Sequence, residues 1–178
     1  MVKLASITHF DDYSVAEFDD YTELNRVLVD GFLACQHNAT TRKNHFFGGR
    51  YENIYIDEAD IPALATLRQE ILACASDILG IPVSRLKYGA WFNAMAPGDA
   101  TLPHSHDDYD ERLSAVYYIQ TDPLSGDLQL HLDADTATTI SPKDGRCVFF
   151  SPSCEHAVSE NRSDELRLSL GINIGVPD

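Results

Sequence analysis

Between residues 86 and 174 the chain reads as a succession of strand-length runs, each closed by a turn signal. Runs at 86–95, 113–119, 127–132, 138–140, 147–150, from 156 onward, and 166–174 are rich in leucine, aromatic and β-branched residues. Pro97-Gly98, the stretch 123–126, the stretch 142–145, Pro152 and the stretch 161–164 separate them. With one more strand through His104, eight short strands follow one another with little between them. Such spacing leaves little room for crossover helices, so it favours a sandwich or barrel over alternating strand–helix units.

The first 80 residues have a different character. Apolar residues at Leu24, Val27, Leu28 and Leu33 recur at helical spacing over 19–35. A second helix is expected over 60–79, where Ile61, Leu64, Leu67, Ile71, Leu72, Ala75 and Leu79 form a broad stripe. Pro62 suits its first turn and Gly80 its stop. The polar stretch 36–53 reads as a loop leading to a short strand near 51–56, and the opening residues as a further strand. The expected architecture is mainly β, a sandwich or barrel with two N-terminal helices packed on one face. Residues 1–178 form a single domain in this reading, with helical support over 1–80 and a β core over 85–175.

Composition narrows function mostly by exclusion. Thirteen basic against 28 acidic side chains leave a net charge of −15. That surface is unsuited to binding nucleic-acid backbones or anionic lipid. No apolar stretch reaches the ~20 residues needed to span a bilayer. The first residues make a poor secretion signal, and Cys35, Cys74, Cys147 and Cys154 form no CxxC pair. A cytoplasmic protein with reduced thiols is expected, and a homodimer is the commonest assembly for such chains.

The most informative stretch is 97–112, PGDATLPHSHDDYDER. On a strand His104 and His106 point to one side, and Asp108 shares their parity. Imidazoles and carboxylates so crowded supply N and O donors for a divalent first-row metal. His156 follows a buried-looking strand, where the chain can return to the first histidines. Two histidines and a carboxylate would form a facial triad with open coordination positions. The last strand adds a second feature. Leu168, Leu170, Ile172 and Ile174 share one face, and Arg167, Ser169, Gly171 and Asn173 the other. If that second face lines a barrel, Arg167 and Ser169 form a clamp for a carboxylate. An arginine on an outward edge explains the same pattern equally simply.

WFNAMAPGDATLPHSH, RLSAVYYI, SGDLQLH, SPKDGRCVFFSPSCEHAVSEN and RLSLGINI, in that order, resemble the iron(II)- and 2-oxoglutarate-dependent oxygenases, including prolyl-hydroxylase-like members. The resemblance covers about residues 88–174 and implies a double-stranded β-helix preceded by a helical layer. It implies Fe(II) as cofactor and 2-oxoglutarate as co-substrate, with a small molecule or peptide side chain hydroxylated. It further implies that Arg167 holds the distal carboxylate of 2-oxoglutarate with Ser169 assisting. By the same likeness Tyr118 reaches that carboxylate and Asn93 serves the keto-acid end. The family pattern is His-x-Asp, and this chain departs from it. Either His104, His106 and His156 are the ligands, or His106, Asp108 and His156 are. The 37–50 loop and the acidic 107–111 stretch are candidates for substrate contacts or a lid. Trp91, Phe92, Phe149 and Phe150 are expected in the core. His104-x-His106 followed by Glu111 also resembles a cupin motif, and the alternative is a cupin-type metal protein that does not use 2-oxoglutarate.

Overall fold

Alternating side chains and tight turns give two antiparallel sheets, as the run of short strands requires. The computed structural model describes residues 2–105, 110–132 and 136–177. The strands are β1 (Lys3–His9), β2 (Tyr13–Asp19), β3 (Arg42–Phe47), β4 (Arg50–Tyr55), β5 (Lys87–Met95) and β6 (Thr101–His104). They continue as β7 (Glu111–Gln120), β8 (Leu128–His131), β9 (Ala137–Ile140), β10 (Arg146–Phe150), β11 (Glu155–Val158) and β12 (Arg167–Gly175). Helices α1 (Tyr21–Cys35) and α2 (Ala63–Leu79) interrupt the early strands. The larger sheet has the order β1-β2-β10-β7-β12-β5-β4-β3, and the smaller β6-β11-β8-β9.

Period-two alternation splits the larger sheet into two faces. One face carries Phe92, Ala115, Tyr117, Ile119, Cys147, Phe149, Leu168, Leu170, Ile172 and Ile174 into the main core with both helices. The other meets the smaller sheet, where Met95, Tyr118, Val148 and Phe150 pack with Leu128, Leu130, Ile140 and Val158. The result is a jelly roll with helices on one outer face. Phe32 of α1 packs its ring 5.1 Å from that of Phe92. Asn25 is buried within the same helix, where Nδ2 donates to the carbonyl of Ile119 at 2.7 Å and Oδ1 accepts from the Tyr117 hydroxyl at 2.8 Å. This buried amide pins α1 to the end of β7. It also shifts the buried stripe, so Val27 and Leu33 are exposed where the spacing placed them inward.

Residues 1–80 contribute four strands besides the helices, which extend the larger sheet at both edges. The expected 36–53 loop is largely the β3–β4 hairpin. Its turn is Gly48-Gly49 with φ of 58° and 86°, the positive pair that a tight hairpin turn requires. Gly80 closes α2 with φ 65°, as its position in the sequence suggests. All four cysteines are free thiols. Among the described residues no helix is long and apolar enough to cross a membrane.

Candidate active site

The inner wall of the barrel is built by β12 lying between β5 and β7. Register sets Arg167 opposite Met95, and Ser169 opposite both Asn93 and Tyr118. Arg167, Ser169, Gly171 and Asn173 therefore face the interior, where they line a cavity with Trp91, Asn93 and Thr101. Arg167 is only 1% exposed. Its Nη1 donates to Ser169 Oγ at 3.0 Å and meets Met95 Sδ at 3.5 Å. Its Cζ stands 5.3 Å from the centre of the Tyr118 ring, a cation–π contact. Among the described residues, Arg167 Nε and Nη2 and the Tyr118 hydroxyl are buried without hydrogen-bond partners.

Desolvation governs the electrostatics here. Burial pulls the Arg167 pKa down and pushes that of Tyr118 up, with the guanidinium opposing the latter shift. Donors buried with nothing to receive them are costly. An anion with two carboxylate oxygens satisfies the open N–H groups of a guanidinium in one step. The cavity is thus complementary to a carboxylate in charge and in hydrogen-bonding sense.

The smaller sheet brings two histidines to the same cavity. His104 on β6 pairs in register with His156 on β11, and their ring centroids are 4.3 Å apart. His104 Nδ1 lies 2.8 Å from the carbonyl of Leu102, and His156 Nδ1 3.0 Å from that of Cys154. A carbonyl only accepts, so each Nδ1 carries the hydrogen, and in the neutral form of an imidazole so oriented Nε2 is the nitrogen with the lone pair. Metal-binding histidines are commonly oriented by such a bond on the opposite nitrogen. Phe150 supports the His156 ring at 4.8 Å between centroids. Among the described residues no third histidine, cysteine or carboxylate joins the pair. His106 and Asp108 lie outside the described residues.

Several side chains fall elsewhere than the sequence suggests. Phe92 and Phe149 are core residues against the helices, as expected. Phe150 is also a core residue, in the cluster between the two sheets, and it borders the cavity as well, whereas Trp91 lines the cavity on the interior parity of β5. Glu111 accepts a hydrogen bond from Asn173 and is not grouped with His104 and His156, while Arg167 is inside the cavity. Both placements differ from the cupin arrangement. A second pocket, lined by His45, Phe46, Phe47, Leu102 and Pro103, shares His104 with the cavity. Two residues escaped the sequence reading. Asn161 is fully buried and braces the segment before β12, with Nδ2 donating to the carbonyls of Met95 and Glu165. Arg50 is the other, and the Gly48-Gly49 hairpin signal was the available clue to its place.

Residues 90–175 match the sequence profile of the 2OG-Fe(II) oxygenase superfamily. No curated protein sequence matches the chain. Among solved structures, the non-heme alpha ketoglutarate dependent epimerase SnoN from nogalamycin biosynthesis superimposes with a TM-score of 0.71 at 18% identity, covering 93% of this chain and 77% of SnoN. EvdO2 from Micromonospora carbonacea var. aurantiaca gives 0.71 at 15% identity, over 100% of this chain and 95% of EvdO2. A Pseudomonas putida prolyl-4-hydroxylase gives 0.64 at 19% identity, over 94% and 89%. At these identities the likeness establishes the jelly-roll fold. SnoN has also been solved with Fe3+, alpha ketoglutarate and nogalamycin RO, and EvdO2 with 2-oxoglutarate.

Proposed function

We propose that this chain, whose residues 90–175 match the 2OG-Fe(II) oxygenase superfamily, is an oxygenase that hydroxylates a small molecule or a peptide side chain. The observation that carries the reading is the set of unpartnered donors around Arg167. Its partnerless Nε and Nη2, with the Tyr118 hydroxyl, fit a carboxylate of 2-oxoglutarate. Ser169 holds the guanidinium in place through the 3.0 Å bond to Nη1. Asn93 lines the same cavity and serves the keto-acid end. His104 and His156, turned by the carbonyls of Leu102 and Cys154, are the histidines that the smaller sheet offers to iron.

The ligand set is either His104, His106 and His156, or His106, Asp108 and His156. The register of His104 with His156 favours the set His104, His106 and His156. Three neutral imidazoles leave the metal charge uncompensated, which strengthens the site's preference for a dianionic co-substrate. Mn(II) binding separates the alternatives. The three-histidine set predicts loss in H104A and retention in D108A, and the set with Asp108 predicts the reverse.

When bound, Fe(II) and 2-oxoglutarate together supply the oxidising chemistry, in which dioxygen converts the keto acid to succinate and carbon dioxide and leaves one oxygen atom for the substrate. The chain's own part is to orient and enclose. Arg167 and Ser169 hold the co-substrate's distal end, Leu128, Val158 and Phe150 give the cavity an apolar lining, and the histidine pair faces it. Substrate enters from the second pocket, whose Phe46 and Phe47 are exposed beside His104. Free thiols fit a reducing cytoplasm. The test is succinate formation from 2-oxoglutarate. It should require Fe(II) and vanish in R167A. Absence of any Fe(II)-dependent binding of 2-oxoglutarate would overturn the proposal.

A further inference from the structure

Arg50 opens β4 immediately after the hairpin turn, yet its side chain is 13% exposed. Nη1 donates to Asn93 Oδ1 and to the carbonyl of Ala94, both at 3.3 Å. Nη2 donates to Glu52 Oε1 at 3.2 Å, the carbonyl of Ala100 at 3.1 Å and Thr101 Oγ1 at 3.0 Å. The Nε lies 3.6 Å from an Asp99 carboxylate oxygen. One guanidinium therefore joins the β3–β4 hairpin, the end of β5 and the start of β6, the strand that carries His104. With Glu52 and Asp99 beside it, its charge is matched locally, so it is not itself a receptor for a further anion.

The contact with Asn93 has a directional consequence. A guanidinium only donates, so the Asn93 atom facing Arg50 is the carbonyl oxygen Oδ1. The amide nitrogen is then turned away from Arg50. Asn93 lines the cavity in register with Ser169, and among the described residues its Nδ2 has no hydrogen-bond partner. We propose that Arg50 is a positioning residue that locks the Asn93 side chain with its N–H donors presented to the cavity, making Asn93 a second oriented anchor for 2-oxoglutarate. The inference rests on the reading of the cavity as the 2-oxoglutarate site. It explains why a largely buried arginine directly follows an exposed hairpin turn.

Two substitutions separate positioning from simple stapling. Arg50→Lys keeps the charge but loses the planar fork that reaches Asn93 and Thr101 together. Asn93→Asp keeps, and strengthens, the acceptor for Arg50, but removes the donors and adds a negative charge to the cavity. The measurements are calorimetric titration of 2-oxoglutarate into the Mn(II)-loaded full chain, without oxygen, and the melting temperature. The Kd should rise about tenfold in R50K, the loss of one charge-assisted hydrogen bond. It should rise further in N93D, whose melting temperature stays at or above that of the unaltered protein. Should R50K fail to fold, N93D carries the test alone. If folded variants bind within twofold of the unaltered protein, Arg50 is only a staple and the inference is overturned. No binding by the unaltered protein would remove the co-substrate reading, and this inference with it.

Discussion

On β12 neighbouring residues serve opposite ends. Leu168, Leu170, Ile172 and Ile174 are buried against the helices, while Arg167 and Ser169, equally buried, face the cavity. Burial alone thus says little about purpose. On the helix face, buried atoms meet apolar neighbours and stabilise the fold in proportion to area. On the cavity face, two guanidinium N–H groups and a phenol are buried without partners, which opposes folding in the absence of a ligand. The alternating period of a strand lets one segment carry both without compromise, because neither face constrains the residue types of the other.

Substitutions on the two faces should part company. The largest effect is expected for Arg167→Met. Losing a buried bidentate carboxylate contact should weaken 2-oxoglutarate binding by about a hundredfold or more. The ligand-free melting temperature should be unchanged or raised, because an apolar isostere replaces a buried charge with unmet donors. Leu170→Ala, one strand parity away, should do the opposite. Unfolding free energy should fall by about 2–5 kcal/mol, read by denaturant titration, with co-substrate affinity of the folded protein preserved.

Gly171→Ala should blur the distinction on a smaller scale. A Cβ at this position would lie 2.5 Å from Trp91 Cε2, so the indole must shift. A loss of about 1–3 kcal/mol is expected. Trp91 is the chain's one tryptophan, so a changed fluorescence spectrum would report the shift directly. The smallest effect belongs to Tyr118→Phe. It removes one unpartnered hydroxyl, which should weaken 2-oxoglutarate about fivefold without lowering stability. An equal fall in stability for Arg167→Met and Leu170→Ala would erase the contrast between the faces.

How much of this was legible in the chain depended on whether local chemistry carried the signal. The β12 alternation was, since period two separates Leu168 and Leu170 from Arg167 and Ser169 in the bare sequence. Strands β5 and β7 through β12 were legible for the same reason, and their turns carry proline and glycine. β2 was not, because its inward residues include Ser14 and Ala16, which are small and weakly apolar. β3 was not, because an exposed edge strand needs few apolar residues to survive. The register of the histidines could not be read at all. His104, His106 and Asp108 share one parity, and only the cross-strand partner of His156 distinguishes them. Arg50 was hidden for a related reason, since its partners come from 43 to 51 residues away.

The central claim is that the inner face of β12 and the histidine pair form one site. A structure of the protein with Mn(II) and 2-oxoglutarate, prepared without oxygen, tests it most directly. The account predicts the metal on His104 and His156, and a carboxylate of 2-oxoglutarate on Arg167 Nε and Nη2. Metal held by Glu111, or a keto acid bound away from Arg167, would contradict it.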